Sequence, residues 1–90
     1  MHNETYPPAQ ALPPLPPAAA PGLYRHHKGS LYEVIDTVRH SETLEPMTLY
    51  RALYGERGLW VRPAAMFLEM VEVAGALTPR FSRLDDAEKP

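Results

Sequence analysis

Residues Met47–Arg62 read MTLYRALYGERGLWVR, and this stretch decides the fold. Tyr50, Ala52 and Tyr54 share one face of the first run, and Trp60 and Arg62 share a face of the run beyond the loop. Gly55 and Gly58 bound Glu56 and Arg57, so glycine is available for a positive φ at either end of a tight connection. Two short alternating runs joined by such a loop predict a β-hairpin, although the Leu, Ala and Met content of the first run would also suit a helix. If the hairpin forms, Tyr50 or Ala52 stands near Trp60 or Arg62 across the sheet.

Working outward toward the N-terminus, Ser41–Pro46 (SETLEP) is a polar connection, and Leu31–His40 (LYEVIDTVRH) is a long strand candidate. Within it Tyr32, Val34 and Val38 share a parity while Leu31 and Ile35 take the other. Either both faces carry apolar residues or a bulge shifts the register. Leu23–His27 is a shorter strand candidate closed by the turn Lys28-Gly29-Ser30. Toward the C-terminus, Pro63 begins one helical turn through Phe67. Glu69–Val73 returns to strand, Gly75 marks a turn, and Leu77–Phe81 adds an edge segment tolerant of Pro79. About five short strands at close spacing predict a mainly all-β domain, a five-stranded SH3-like barrel with one helical turn, since closure removes exposed edges. An open antiparallel sheet is the alternative.

The chain has 90 residues and 11 prolines, and Pro7, Pro8, Pro13, Pro14, Pro16, Pro17 and Pro21 all precede Gly22. Proline fixes φ and removes amide donors, so residues 1–21 are expected to form a disordered, polyproline-II-like extension. The foldable unit is then 22–84, with 85–90 a disordered acidic tail. Its Pro13-x-x-Pro16 and Pro14-x-x-Pro17 patterns resemble ligands of aromatic-groove domains, yet the nearest basic residue is Arg25. A unit of about 60 residues buries only ~60% of its unfolded surface. That length excludes a TIM barrel, a doubly wound nucleotide-binding sheet and any two-domain enzyme.

Net charge is −2. Arg25, Lys28, Arg39, Arg51 and Arg62 are interleaved with Glu33, Glu42, Glu45 and Glu56, as on a solvated sheet face with cross-strand pairs. Arg39/Glu42 and Arg62/Glu69 have separations that permit pairing. Nucleic acid is therefore the second candidate partner, behind protein or peptide. With no cysteine there is neither a disulfide framework nor a thiolate metal site. No apolar run approaches the ~20 residues of a membrane helix, and no basic, proline-free leader opens the chain. The sequence reads as cytoplasmic, with no membrane association and no cofactor.

RHHKG (25–29), RHSETLEP (39–46), LYRALYG (49–55), LWVRPAAMF (59–67) and PRF (79–81) occur in order. Together they resemble an uncharacterised bacterial family, domain of unknown function 1653, over Gly22 to Phe81. His27 stands where that family commonly has an aromatic residue. The resemblance implies a small stand-alone bacterial domain and brings no activity, substrate or catalytic residue.

His40-Ser41-Glu42-Thr43 places a base, a hydroxyl and a carboxylate together and invites a hydrolase reading. Consecutive residues point in different directions, however, whereas a nucleophile, its base and an orienting group must converge. Ser41 and Thr43 are ordinary turn residues. His26 and His27 are adjacent and face opposite sides of a strand, so an open metal site would need His26, His40 and Glu42 to meet across the sheet. The residues predicted to bind a partner are His40, Glu42, Tyr50, Trp60 and Arg62, with no catalytic or metal-ligating set. The leading expectation is a non-catalytic binding or adaptor domain recognising a protein or peptide. A small hydrolase or metal-dependent enzyme centred on His26, His40 and Glu42 is the rival.

Overall fold

The computed structural model describes residues 12 and 14–84. The order of elements is β1 (Gly22–His26), β2 (Leu31–Arg39), β3 (Pro46–Ala52), β4 (Leu59–Pro63), α1 (Ala64–Phe67), β5 (Met70–Val73), β6 (Ala76–Pro79) and β7 (Phe81–Arg83). Among the described residues the fold is mainly β with one short helix. β4-β3-β2-β1-β7 form a five-stranded antiparallel sheet, and β5 and β6 pair as a separate hairpin.

The hairpin read from Met47–Arg62 is present as β3–β4. Met47 pairs with Pro63, Thr48 with Arg62, Leu49 with Val61, Tyr50 with Trp60 and Arg51 with Leu59. β3 ends at Ala52, earlier than the sequence suggests. The connection takes its positive φ at Gly55 and at Arg57, and Gly58 lies beside the Trp60 indole instead. The broken parity of β2 is a β-bulge. Val34 pairs with Tyr50 and Asp36 with Leu49, so Ile35 is the extra residue and Thr37 takes the face that Tyr32 and Val34 began.

One face of the sheet holds the core. Cross-strand partners share a face, which aligns Tyr24, Tyr32 and Ala52, then Gly22, Val34, Tyr50 and Trp60, then Thr37, Thr48 and Arg62. Tyr24, Val34, Tyr50, Phe67 and Phe81 are buried together on this inner face. The sheet curls around them. β4 and β7 are opposite edges, which in a flat sheet of five strands would lie about 19 Å apart. Here the Arg62 guanidinium of β4 is 5.8 Å from the Phe81 ring centroid of β7.

Curling stops short of closure, so the expected SH3-like barrel is an open, curled sheet. β4 and β7 form no ladder. α1 follows β4 directly and sends Phe67, 1% exposed, onto the inner face, where it stacks on Phe81 with centroids 4.0 Å apart and planes 3° from parallel. This ring pair fills the space between the two edges. β4 also ends at Pro63, which has no amide to offer a neighbouring strand.

The segment expected as Leu77–Phe81 is two strands separated by Arg80. The β5–β6 hairpin hangs on the sheet through Arg80: His27 N donates to its carbonyl at 2.9 Å, and its own amide donates to Glu69 O at 2.9 Å. At the N-terminal boundary Gly22 has φ 145°, and a Cβ there would meet the Arg83 guanidinium at 2.7 Å. That guanidinium donates to Pro21 O at 3.1 Å, and Tyr24 Oη donates to Ala20 O at 2.8 Å. Ala19 belongs to the buried cluster. The expectations for residues 1–11, Pro13 and 85–90 concern positions outside the described residues. Among the described residues no helix is long and apolar enough to cross a membrane.

Candidate functional site

Alternation along β3 and β4 gives the inner face a floor and a rim. Tyr50, central in the sheet, is buried against Phe67 and Phe81, with centroids at 5.4 and 5.9 Å. Trp60 is its direct cross-strand partner and shares its face, yet is 59% exposed. Position in the sheet makes the difference: a residue on edge strand β4 has neighbours on one side only. Trp60 makes no hydrogen bond among the described residues, so its indole N–H has no internal acceptor.

Arg62 lies two residues on, on the same face. Its Nε–H reaches toward Tyr50 Oη at 3.5 Å, a long contact, while the guanidinium sits over the Phe81 ring. It makes no ion pair among the described residues. The separation to Glu69 that permitted pairing is not used, since Glu69 accepts from Arg80 at 2.8 Å. Arg62 is therefore a half-buried cation facing aromatic rings.

Tyr32, Tyr54 and His26 close the end of this face nearest the β1–β2 turn. Tyr32 and Tyr54 share a hydroxyl–hydroxyl hydrogen bond of 2.8 Å. Tyr32 also packs edge-to-face on Tyr50 and Phe81, with centroids at 5.5 and 5.4 Å. Burial, then the hydrogen bond to Tyr54, pushes the Tyr32 phenol up to about 12. His26 packs on Phe81 at 4.9 Å. Burial and then the neighbouring charges of His27, Arg62, Arg80 and Lys28 lower its pKa, which favours the neutral imidazole. The inner face thus offers aromatic rings, phenol hydroxyls, the Trp60 indole N–H and the Arg62 guanidinium.

His40 and Glu42 lie elsewhere, in the β2–β3 turn. Their turn begins beyond the Arg39–Pro46 pair, roughly 15 Å along the sheet from the row that holds Trp60. His40 Nδ1 accepts from the amides of Glu42 at 3.1 Å and Thr43 at 3.4 Å, and Thr43 Oγ1 accepts from Glu45 N at 3.1 Å. The side chains close the turn on itself. His26 is at the opposite end of β2, on the order of 25 Å from His40 by strand rise. The structure therefore brings Tyr50, Trp60 and Arg62 together, keeps His40 and Glu42 in one turn away from them, and leaves His26 far from that turn. No group of three or more metal-ligating side chains gathers among the described residues.

The basic residues are also divided. Arg25 and Arg51 alternate with the inward-facing Tyr24, Tyr50 and Ala52 and so stand on the outer face, where Arg51 is the cross-strand partner of Glu33. Arg62 is on the inner face. Sequence reasoning aligned Tyr54 with Tyr50 but missed Tyr32 and Phe81 as members of the same aromatic face. Tyr32 carried a usable signal, the parity it shares with Val34. Phe81 carried none, because its approach to Tyr50 depends on the curl of the whole sheet.

A comparison with curated proteins gives no match. A search of solved structures finds similarity to the crystal structure of a DUF1653 protein from Bordetella bronchiseptica. Identity is 32%, the TM-score is 0.68, and the match covers 73% of this chain and 87% of that one. Residues 22–83 match the family model described as protein of unknown function (DUF1653). The motifs from Arg25 to Phe81, the curled sheet and the matched span agree, and the chain belongs to the DUF1653 family.

Proposed function

We propose that this domain is a non-catalytic binding module that recognises an extended segment of a protein or peptide partner on its inner face. The observation that carries this reading is the placement of Trp60. A large indole lies open on the rim, opposite buried Tyr50 and two residues from a guanidinium that no carboxylate neutralises among the described residues. Exposing an indole forgoes its burial, worth roughly 1.5–3 kcal/mol for a large apolar side chain. An aromatic–arginine rim backed by a rigid floor is the composition in which interface hot spots concentrate.

Indole N–H, guanidinium and phenol O–H groups are hydrogen-bond donors, so the surface suits a ligand rich in carbonyl acceptors. An extended peptide satisfies that requirement and can lay apolar side chains on the rings. Nucleic acid is the weaker reading because Arg25 and Arg51 stand on the face opposite Arg62, which divides these basic residues between two faces. Selection from a displayed random-peptide library tests the proposal. Wild-type protein should enrich a family of peptides that folded Trp60→Ala and Arg62→Ala variants do not retain. Equal enrichment by all three proteins rejects the surface.

A further inference from the structure

We infer that the ligand of this inner face is the proline-rich tract around Pro14–Pro17 of a second copy of the same chain. The inference rests on the peptide-binding reading above and names its partner. Three observations support it.

The first is complementarity. A polyproline-II segment makes no internal hydrogen bonds, and its prolines have no N–H, so it presents carbonyl acceptors almost exclusively. The rim and end of the inner face present donors: the Trp60 indole N–H, the Arg62 guanidinium and the Tyr32–Tyr54 hydroxyl pair. Proline rings dock against aromatic side chains in grooves of this composition. The tract supplies no basic residue, and here the cation stands on the receiving surface as Arg62.

The second is availability. Pro14, Leu15, Pro16 and Pro17 are all exposed, Leu15 at 43%. Three prolines in four residues hold the tract extended before it meets anything, which reduces the entropy lost on binding.

The third is the tether. Ala18 alone separates Pro17 from Ala19, which is fixed in the aromatic cluster. The next residues are fixed too, with Ala20 O accepting from Tyr24 and Pro21 O accepting from Arg83. Beside this anchored segment Pro14–Pro17 are exposed, and Trp60 of the same chain is 59% exposed, so the tract leaves the rim of its own chain open. Both surfaces are free for a neighbouring copy. Such a contact joins two different surfaces, so reciprocal exchange closes a dimer and one-way exchange builds a chain of copies.

Trp60 is the only tryptophan of the sequence, and its emission reports the proposed contact directly. The experiment follows mass by sedimentation, together with Trp60 emission, for the full chain over a concentration series. A synthetic peptide of residues 12–20 is then added. Mass should rise with concentration, Trp60 emission should shift to the blue, and the peptide should lower the mass while preserving the shift. Pro14→Ala/Pro17→Ala and Trp60→Ala proteins should each need about tenfold more protein for the same association, the loss typical of one interface anchor.

A chain that stays monomeric and whose Trp60 ignores the peptide overturns the inference. If library peptides still bind at Trp60, the peptide-binding reading survives that result; if none do, both fall. Association that survives Pro14→Ala/Pro17→Ala but is lost in Trp60→Ala assigns the contact to pairing of β4 edges and overturns the inference. A monomer whose Trp60 emission changes on Pro14→Ala/Pro17→Ala assigns the tract to its own chain, which overturns it as well.

Discussion

The inner face of the five-stranded sheet and the β5–β6 hairpin come from one short chain but hold their shapes by different means. On the inner face Tyr24, Tyr50, Phe67 and Phe81 bury one another, and four rings meet within contact distance. Among the described residues the hairpin has no such cluster. Met70 and Val73 are exposed, and Leu77 is 73% exposed. Its attachment is the backbone of Arg80 together with the Arg80–Glu69 ion pair. A two-stranded ribbon is marginal alone, so this hairpin persists because the sheet holds its ends. Burial supports the first region, and turn geometry with a few polar contacts supports the second.

The largest test of that contrast is Phe67→Ala. Phe67 touches Tyr24, Tyr50 and Phe81 and separates the two sheet edges, so its truncation should cost ~3–5 kcal/mol in urea unfolding. A loss below ~1 kcal/mol would mean that the stacked pair is not the centre of the core. Thr48→Val probes the same face from the other direction. Thr48 is wholly buried, and its Oγ1 has no hydrogen-bond partner among the described residues. Removing that hydroxyl should stabilise the protein by about 1 kcal/mol, and a destabilised variant would reveal a partner for it.

The hairpin should answer to its turn. Ala74 and Gly75 have φ of 52° and 82°, both in the left-handed region, as a two-residue turn of primed type requires. Alanine is strained there by roughly 1–2 kcal/mol, and asparagine tolerates it better. Ala74→Asn should therefore slow amide exchange across Val71–Thr78 severalfold while leaving β2 and β3 unchanged. Uniform slowing in both regions would join them as one cooperative unit. Glu69→Gln should change global stability by no more than ~1 kcal/mol, because the pair it breaks is half exposed.

The smallest effect concerns alkaline pH. Tyr32 is held near 12 when folded, against 10.0 as its ordinary value. A raised pKa stabilises the fold fully below pH 10 and is lost as pH rises from there through about 12. Ultraviolet titration should show Tyr32 ionising late, together with Tyr24, which burial also pushes up, and Tyr54→Phe should bring the Tyr32 step earlier by removing the hydrogen bond that supports the neutral phenol. A Tyr32 step unmoved in Tyr54→Phe would leave burial as its main cause.

Local signals were legible in the sequence wherever short-range geometry decides. The β3–β4 hairpin follows from alternation around Gly55–Gly58, the bulge at Ile35 from a parity that Leu31–His40 could not keep, and α1 from Pro63. The turn reading of Thr43 is matched by the hydrogen bond its Oγ1 accepts from Glu45 N. Closure was not legible, because it depends on whether Phe67 reaches Phe81 across the whole sheet. The candidate site was half legible. Parity placed Trp60 and Arg62 on one face with Tyr50, but only strand order shows that Tyr50 is central while Trp60 is at an edge. His40 and Glu42 were grouped with them by chemistry alone, and the turn that contains them lies beyond the end of that surface.

The central claim is that the inner-face rim is built to hold a ligand while the floor beneath it holds the fold. Affinity of Trp60→Ala for the peptides selected by wild-type protein tests it most directly. Binding should weaken about tenfold or more, equivalent to at least ~1.4 kcal/mol, in a variant that unfolds at the wild-type urea midpoint. Wild-type affinity in that folded variant would contradict the claim.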